Sequence, residues 1–345
     1  MRPRFVKYSG PNLVVDLKRE GAERWREIIQ AELTVAKRLL TAALEEFPAA
    51  AKWTSGAFGV AFRQWQGPYI AELEAWAKAL EVSFGEIAMV NCGYEYSHLS
   101  DAFTVALGKL RKGIFGCTAA VLRIADDETV HVRNLDWPIQ GMGPSTRVFE
   151  FIGGDHPFSV VGFPGFVGAL SGMVPGEYSA TINWAPPRQL PSFDYAPAFL
   201  LRETFQTCRT YQAAMEKLKS TPLSADVFFT VCGKDDGCVI ERAQHSASLR
   251  PLKKGFVAQT NHRADSNEDD EVMSHLKAGD FLVSNTRQRL QDMNDSITAS
   301  GLVNAPWNEC ALFDALDRGE VTNWETSQRM IFRPKTGELF LQTSV

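Results

Sequence analysis

The sequence predicts an α+β protein in which a helical N-terminal segment precedes a domain of antiparallel sheets. Three observations support this prediction. Apolar residues recur at helical spacing through much of residues 1–116, short apolar runs divided by glycine and proline turns follow, and helical stretches then alternate with further short runs. Consecutive short runs joined by turns favour antiparallel sheets over a doubly wound parallel sheet.

The N-terminal segment is predicted to contain three helices. The first runs from Gly21 to Phe47, where apolar and charged residues alternate at helical spacing, and Pro48 follows as a stop. The second covers about Tyr69 to Leu80. The sequence Ser83-Phe84-Gly85-Glu86 has the form of a capping box, in which serine and glutamate satisfy free backbone donors, so it indicates the start of a third helix.

Residues 117–136 are predicted to form a β-hairpin. Two runs rich in apolar and β-branched residues flank an acidic turn, Asp126-Asp127-Glu128. Pairing outward from a loop centred on that turn places Cys117 opposite Asp136 and brings Arg133 beside the start of the first strand. The cysteine sulfur is then expected to lie within reach of a cation and a carboxylate.

The remainder of the chain is predicted to consist of strands and two helices. Glycine, proline and aspartate turns separate the apolar runs, and Asp236-Gly237 is typical of a tight hairpin turn. The predicted helices cover 196–219 and 280–293. The predicted strands cover 147–152, 158–163, 167–174, 179–183, 256–260 and a terminal hairpin of 329–333 with 339–342, and a further hairpin is predicted to turn between Val231 and Val239.

Composition and charge argue against several classes of function. The chain has 345 residues, of which 45% are hydrophobic and 22% charged, as in ordinary soluble globular proteins. A net charge of -5 disfavours nucleic acid as a partner. The sequence has no apolar run of about 18 residues, so we expect no membrane span, and without a signal-peptide pattern we expect a cytoplasmic location.

Cysteine and histidine usage predicts neither a metal nor another cofactor. The six cysteines are scattered and lack the spacing of a disulfide framework, which is typical of reduced thiols. No zinc-ligand spacing and no Walker or dinucleotide-binding fingerprint is present.

Several motifs resemble one family. Cys117 at a strand start, followed at 16 and 19 residues by the arginine and aspartate of Arg133-Asn134-Leu135-Asp136, is similar to the N-terminal nucleophile hydrolases of the acid ceramidase and N-acylethanolamine acid amidase group. Choloylglycine hydrolases are more distant relatives of that group. Residues 86–95, the Thr-Pro-Leu-x-Ala-Asp-Val passage at 221–227 and Thr260-Asn261 also resemble it, so the likeness covers roughly residues 80–310 with gaps.

The resemblance implies a fold and a processing event. The fold would be a four-layer αββα sandwich of two antiparallel sheets. The chain would be cut between Gly116 and Cys117, giving a helical α-subunit of residues 1–116 and a β-subunit of residues 117–345. The two cleavage products would then form an α/β heterodimer.

The chemistry explains why cleavage would matter. A cysteine thiol with an unperturbed pKa of about 8.5 is only partly ionised at neutral pH, so it needs a base. The new N-terminal amine, with a reference pKa of about 7.7–8.0, can take the thiol proton and later return it to the leaving amine. Arg133 would lower the pKa of the thiol, and Asp136 would orient the amine.

The resemblance also implies further catalytic residues. The side-chain amide of Asn261 would donate to the oxyanion that forms at the attacked carbonyl. Asn183 would add a second donor, and Arg287 would act as a distal arginine near Asp136. Asn261 and Arg287 have structural alternatives, a turn asparagine and a solvent-facing helical arginine, just as an isolated cysteine is usually a small buried hydrophobe.

The predicted function is that of an enzyme, a cysteine amidohydrolase that cleaves a linear N-acyl amide through an acyl-thioester on Cys117. The resemblance implies N-acyl amides of fatty acids, and this chain has four aromatic residues near the site in sequence that would suit an apolar acyl group. Ordinary sheet core is the alternative role for these residues, which are Trp137, Trp184, Phe163 and Phe166. Two other functions stay open: an acyltransferase that passes the acyl group to an amine, and a binding protein that is never cleaved.

Overall fold

Two β-sheets lie face to face at the centre of the fold, and helices cover the outer face of each. The computed structural model describes residues 3–46, 49–65, 67–106, 116–137, 139–263 and 285–345. This layering is the αββα arrangement that the resemblance implies.

The first sheet has six strands, and all of its neighbouring strands are antiparallel. It contains both strands of the predicted hairpin and both strands of the predicted terminal hairpin. Its strands, in sheet order, are β1 (Phe5–Lys7), β14 (Glu338–Ser344), β13 (Thr326–Arg333), β4 (Thr129–Asp136), β3 (Gly116–Arg123) and β12 (Phe256–Gln259).

The second sheet has eight strands and one parallel pair. Its strands, in sheet order, are β11 (Ala247–Pro251), β10 (Gly237–Arg242), β9 (Val227–Cys232), β8 (Tyr178–Trp184), β7 (Ser171–Val174), β6 (Phe158–Gly162), β5 (Arg147–Ile152) and β2 (Asn12–Asp16). The sequence did not predict β2, which runs parallel to β5, because this short and partly exposed edge strand has little apolar alternation.

Ten α-helices lie in the described parts of the chain. Six belong to the N-terminal segment, two (α7 and α8) pack on the second sheet, and two (α9 and α10) pack on the first. They are α1 (Gly21–Arg24), α2 (Arg26–Glu46), α3 (Ala49–Gln64), α4 (Ile70–Leu80), α5 (Phe84–Asn91), α6 (Gly93–Ala106), α7 (Pro197–Thr207), α8 (Tyr211–Ser220), α9 (Thr286–Ala299) and α10 (Glu309–Leu316). No helix within the described ranges is long and apolar enough to cross a membrane.

The capping box is confirmed, and three helix predictions need correction. The helix predicted from Gly21 is divided at Trp25 into α1 and α2. The Ser83 side chain accepts from the Glu86 backbone N–H, and the Glu86 carboxylate accepts from the Ser83 N–H. The helix predicted over 196–219 is instead two helices, because the chain turns after Thr207 and the Thr210 hydroxyl caps α8. The helix predicted from Asp280 begins in the structure at Thr286, and residues 280–284 lie outside the described part of the chain.

The β3–β4 hairpin is confirmed, but its register differs by one residue from the predicted one. Cys117 lies opposite Leu135, and Gly116 takes the position opposite Asp136. Since residues two apart in a strand share a face, Cys117 shares its face with Arg133, whereas Asp136 points to the other face of the sheet. The prediction that Cys117 lies opposite Asp136 is therefore wrong.

The hairpin loop explains the shift in register. The last paired residues are Arg123 and Thr129, which leave a five-residue loop over 124–128. Asp126 and Asp127 adopt left-handed backbone conformations, with φ of 62° and 51°. A loop with an odd number of residues moves the whole ladder by one position relative to the even loop that the sequence predicted.

The N-terminal helices pack on the second sheet and share its core. Trp25 is 1% exposed, and its ring contacts the rings of Phe149 and Phe151 in β5 at centroid distances of 5.6 Å and 6.3 Å. Strands β1 and β2 come from the same N-terminal segment, and each joins a different sheet. The described residues of this segment thus contribute strands to both sheets and side chains to the core of the second.

Candidate active site

Cys117 lies between the two sheets at the start of β3. Its side chain has no exposure to solvent. A guanidinium nitrogen of Arg133, Nη2, donates to the Cys117 sulfur at 3.2 Å. The register of the hairpin produces this contact, because it sets both side chains on the face of β3 and β4 that looks toward β8.

Backbone and hydroxyl acceptors hold Arg133 in place. Its Nη2 also donates to the Ile182 carbonyl at 2.6 Å, and its Nη1 donates to the Ser171 hydroxyl at 2.6 Å and to the Leu170 carbonyl. These partners belong to β7, β8 and the loop before β7. The second sheet therefore orients the cation that touches the sulfur.

Burial and a neighbouring cation act in opposite directions on the pKa of the Cys117 thiol. Burial raises the pKa of the Cys117 thiol, and the nearby Arg133 guanidinium opposes that effect. The sulfur thus has a cation for its hydrogen-bond partner and no contact with solvent.

Asn261 binds both the backbone and the charged groups around Cys117. Its Oδ1 accepts from the Cys117 backbone N–H at 3.0 Å and from Arg289 at 2.8 Å. Two donors on one side-chain atom fix that atom as the oxygen, so the amide nitrogen points the other way, and it donates to the Trp184 carbonyl at 2.9 Å. The structure thus brings Asn261 to the backbone nitrogen of Cys117.

Asp136 lies on the opposite face of β4 and reaches the site through Arg289. The two side chains are fully buried, with the Arg289 Nη1 atom 3.5 Å from the Asp136 carboxylate, which also accepts from the Thr326 hydroxyl at 2.6 Å. Burial raises the pKa of Asp136, and Arg289 opposes that rise. The same Arg289 nitrogen donates to the Cys117 carbonyl at 2.8 Å.

The structure brings Arg289, and not the predicted Arg287, to Cys117 and Asp136. Arg287 has an exposed side chain on α9, whereas Arg289 is fully buried and contacts Cys117, Asn261 and Asp136. The helical repeat could have found Arg289, since it lies four residues before the buried Met293 on one face of the helix.

Asn183 lies beside the site and forms hydrogen bonds with the two residues that precede Asn261. Its side-chain amide donates to the Gln259 carbonyl at 3.2 Å and to the Thr260 carbonyl at 3.1 Å. Its Oδ1 accepts no hydrogen bond from the residues that the structure describes. Asn183 is thus positioned to hold the end of β12 against β8.

Three of the four aromatic residues named from the sequence share one small apolar pocket. Trp137, Phe163 and Phe166 line a cavity of about 30 Å³, together with apolar residues of α2, α4 and α5. The ring of Trp137 meets that of Phe163 edge to face at a centroid distance of 6.0 Å. A volume of this size holds only one or two water molecules.

Trp184 lies elsewhere, against α6. Its indole nitrogen donates to the Ser97 hydroxyl at 2.9 Å, and its ring packs edge to face with that of His98. It does not line the apolar pocket, so the structure separates Trp184 from the other three aromatics.

Comparisons with known proteins identify relatives of this chain. The chain is 28% identical over 231 residues to an N-acylethanolamine-hydrolyzing acid amidase of Oryctolagus cuniculus, which covers 61% of this chain and 60% of that protein. It is 27% identical over 235 residues to an acid ceramidase of Heterocephalus glaber, covering 58% and 54%. The chain is a homologue of these acid amidases and ceramidases.

A solved structure supports the same fold. The Caenorhabditis elegans N-acylethanolamine-hydrolyzing acid amidase ortholog superposes with a TM-score of 0.51 at 20% identity, covering 64% of this chain and 93% of that one. The chain accordingly has the same fold as that amidase ortholog, with helices and two mainly antiparallel sheets. No family model matches the chain, and it spans little more than half the length of the two curated amidase and ceramidase relatives.

Proposed function

We propose that this protein is a self-processing cysteine amidohydrolase that cleaves linear N-acyl amides with an apolar acyl group. One observation above all supports the proposal: at the start of β3, the Cys117 sulfur accepts a hydrogen bond from Arg133, and the Cys117 backbone N–H donates one to Asn261. The sulfur that would act as the nucleophile and the nitrogen that would become its base therefore already have hydrogen-bond partners in the uncut chain.

Processing would occur at the bond before Cys117. The thiol adds to the Gly116 carbonyl carbon, the C–N bond to Cys117 breaks, and the nitrogen takes the thiol proton. Water then hydrolyses the thioester, which yields the Gly116 carboxylate, the free thiol and a free Cys117 amine. Residues 1–116 and 117–345 become the two subunits.

Turnover would use the new amine as the base. The amine takes the thiol proton, the thiolate attacks the carbonyl carbon of the amide, and Asn261 contributes its amide to binding the oxyanion. In the uncut chain that amide donates to the Trp184 carbonyl, so oxyanion binding requires it to exchange partners. The ammonium protonates the leaving amine, and water hydrolyses the acyl-thioester to a carboxylic acid.

Arg133 and Arg289 would have separate tasks. Arg133 contacts the sulfur and stabilises the thiolate, whereas Arg289 links Asp136 to the Cys117 carbonyl and to Asn261. Arg289 would therefore orient the new N-terminal residue, with Asp136 balancing its charge.

Intact-mass analysis of the purified chain, after incubation at acidic and at neutral pH, tests the proposal. We expect two fragments that meet at Gly116 and Cys117, together with release of a carboxylic acid from N-acyl amides. Cys117→Ala should stay uncut and inactive, whereas Cys232→Ala, which also removes a fully buried thiol, should still be cut. An uncut chain that hydrolyses amides would contradict the mechanism.

A further inference from the structure

One face of α6 lies along the end of β8, the strand beside the site. The Tyr94 hydroxyl donates to the Ile182 carbonyl at 3.5 Å, the Ser97 hydroxyl accepts from Trp184, and a ring nitrogen of His98 lies 3.0 Å from the Ala185 carbonyl oxygen. Positions 94, 97 and 98 share one face of a helix. The contacts of Ser97 and His98 therefore fix the position of Tyr94.

The Ile182 carbonyl joins Tyr94 to the nucleophile. This single oxygen accepts from Arg133 at 2.6 Å and from the Tyr94 hydroxyl, and the Cys117 sulfur lies 4.0 Å from it. The bond from Tyr94 is long compared with the usual O–H···O distance of about 2.7–2.8 Å, so it is weak. The Tyr94 phenol and the Cys117 thiol therefore both lie near the Ile182 carbonyl oxygen.

We infer that Tyr94 donates a hydrogen bond to the Cys117 thiolate in the processed protein, so that the N-terminal cleavage product supplies a group of the active site. The inference rests on the proposed function, since only the processed protein would form that thiolate. Tyr94 lies before the proposed cleavage bond and therefore belongs to the other subunit.

The electrostatic surroundings favour such a donor. The charged and titratable groups that act on the thiol or on the phenol are Arg133, Asp136, Arg289 and Glu95. Burial raises the pKa of the Tyr94 phenol well above its ordinary value, so the hydroxyl keeps its proton at physiological pH. A neutral donor can therefore stabilise a buried thiolate without adding a second charge.

The test compares Tyr94→Phe with Tyr96→Phe, a buried tyrosine on the same helix, in processed protein. The rate of Cys117 alkylation by iodoacetamide, followed by peptide mass spectrometry from pH 5 to 10, reports the ionisation of the thiol without a substrate. We expect Tyr94→Phe to move the alkylation midpoint upward by about one pH unit and to lower kcat/KM about tenfold or more. Tyr96→Phe should match the wild type.

Each outcome is decisive. An unchanged alkylation midpoint and kcat/KM in a folded Tyr94→Phe variant would overturn the inference. If Tyr94→Phe moves the alkylation midpoint but the wild-type protein hydrolyses no amide, the proposed function alone is overturned. Where Tyr94→Phe folds poorly, 3-fluorotyrosine at position 94, a stronger donor, should move the midpoint downward.

Discussion

The Arg289 guanidinium and the Asp136 carboxylate form an ion pair of 3.5 Å in which neither side chain is exposed. The pair joins α9 to the end of β4, and Arg289 extends it to the Cys117 carbonyl and to Asn261. Removing one member of a buried pair leaves the other charge without compensation, at a cost of about 3–5 kcal/mol. The pair thus links the stability of the first sheet to the geometry around Cys117.

We therefore expect Arg289→Gln to lower the free energy of unfolding by about 3 kcal/mol or more and to abolish self-cleavage. Arg287→Gln is the matched control, because Arg287 lies on the exposed side of the same helix, and it should change neither property. Urea denaturation and intact-mass analysis of the same preparations check both expectations. If Arg287→Gln were the more damaging variant, the assignment of Arg289 to the site would be wrong.

The unfolding free energy should also depend on pH through Glu95. Burial raises the pKa of Glu95 to about 7, although the Ser224 hydroxyl donates to its carboxylate. The folded protein therefore holds this proton more tightly than the unfolded chain, in which the pKa is about 4.3. The stability from this group is present below about pH 4.3 and is lost as the pH rises to about 7.

Glu95→Gln isolates that contribution, because the glutamine amide oxygen can still accept from Ser224. We expect variant and wild type to be equally stable near pH 4.5 and the variant to be more stable at pH 8, by up to about 3 kcal/mol. The exposed carboxylate of Glu81 provides the control variant, Glu81→Gln. A stability difference that is the same at both pH values would show that Glu95 does not hold a proton in the fold.

Local sequence patterns predicted much of the fold, because the interactions that form these elements join residues close to one another in the chain. The capping box at Ser83 and Glu86, the β3–β4 hairpin and the terminal hairpin follow from residues that lie next to one another in the chain. The edge strand β2 was missed because its pairing with β5, about 135 residues away, leaves little pattern in its own five residues.

The site was predicted less completely, for two physical reasons. The hairpin register depends on the left-handed backbone of Asp126 and Asp127, and a one-residue change moved Asp136 to the other face of the sheet. Tyr94 lies near the site through a tertiary contact with the Ile182 carbonyl, which no local sequence pattern reveals. In contrast, Cys117 and Arg133 meet within one hairpin, so sequence spacing was enough to pair them.

Association of the two predicted cleavage products should depend on a buried ion pair between α4 and α7. The Glu72 carboxylate accepts from Arg202 at 2.6 Å and 3.0 Å, from the Trp25 indole at 2.5 Å and from Arg24 at 2.8 Å. Glu72 and Arg202 are almost completely buried and lie on opposite sides of the Gly116–Cys117 bond.

We expect Glu72→Ala to make the processed heterodimer dissociate at a clearly lower urea concentration, because Arg202 then stays buried without its anion. Glu74→Ala is the matched control, because Glu74 lies on the same helix as Glu72 but forms an exposed ion pair with Arg63 of α3. Exposed ion pairs contribute about 0–1 kcal/mol. Gel filtration across a urea series measures the effect. Equal midpoints for the two variants would exclude this pair as the basis of association.

The acyl group should bind where Trp137, Phe163 and Phe166 meet the N-terminal helices. The lining of that pocket is almost wholly apolar, but at about 30 Å³ it is too small for a long chain in the uncut protein. Binding of an acyl group therefore requires α2 to move away from the Phe163–Phe166 turn. Each buried methylene would then contribute about 0.8 kcal/mol, or about fourfold in kcat/KM.

A series of N-acyl amides from acetyl to palmitoyl, assayed for kcat/KM, measures this contribution. We expect kcat/KM to rise with chain length until the pocket is filled. Leu40→Ala enlarges the pocket from α2, so it should move the optimum toward longer chains, whereas Leu44→Ala, one turn further along the same helix but outside the pocket lining, should leave the optimum unchanged. A flat profile would mean that the three aromatics serve only as core, and an unchanged optimum in Leu40→Ala would place the acyl site elsewhere.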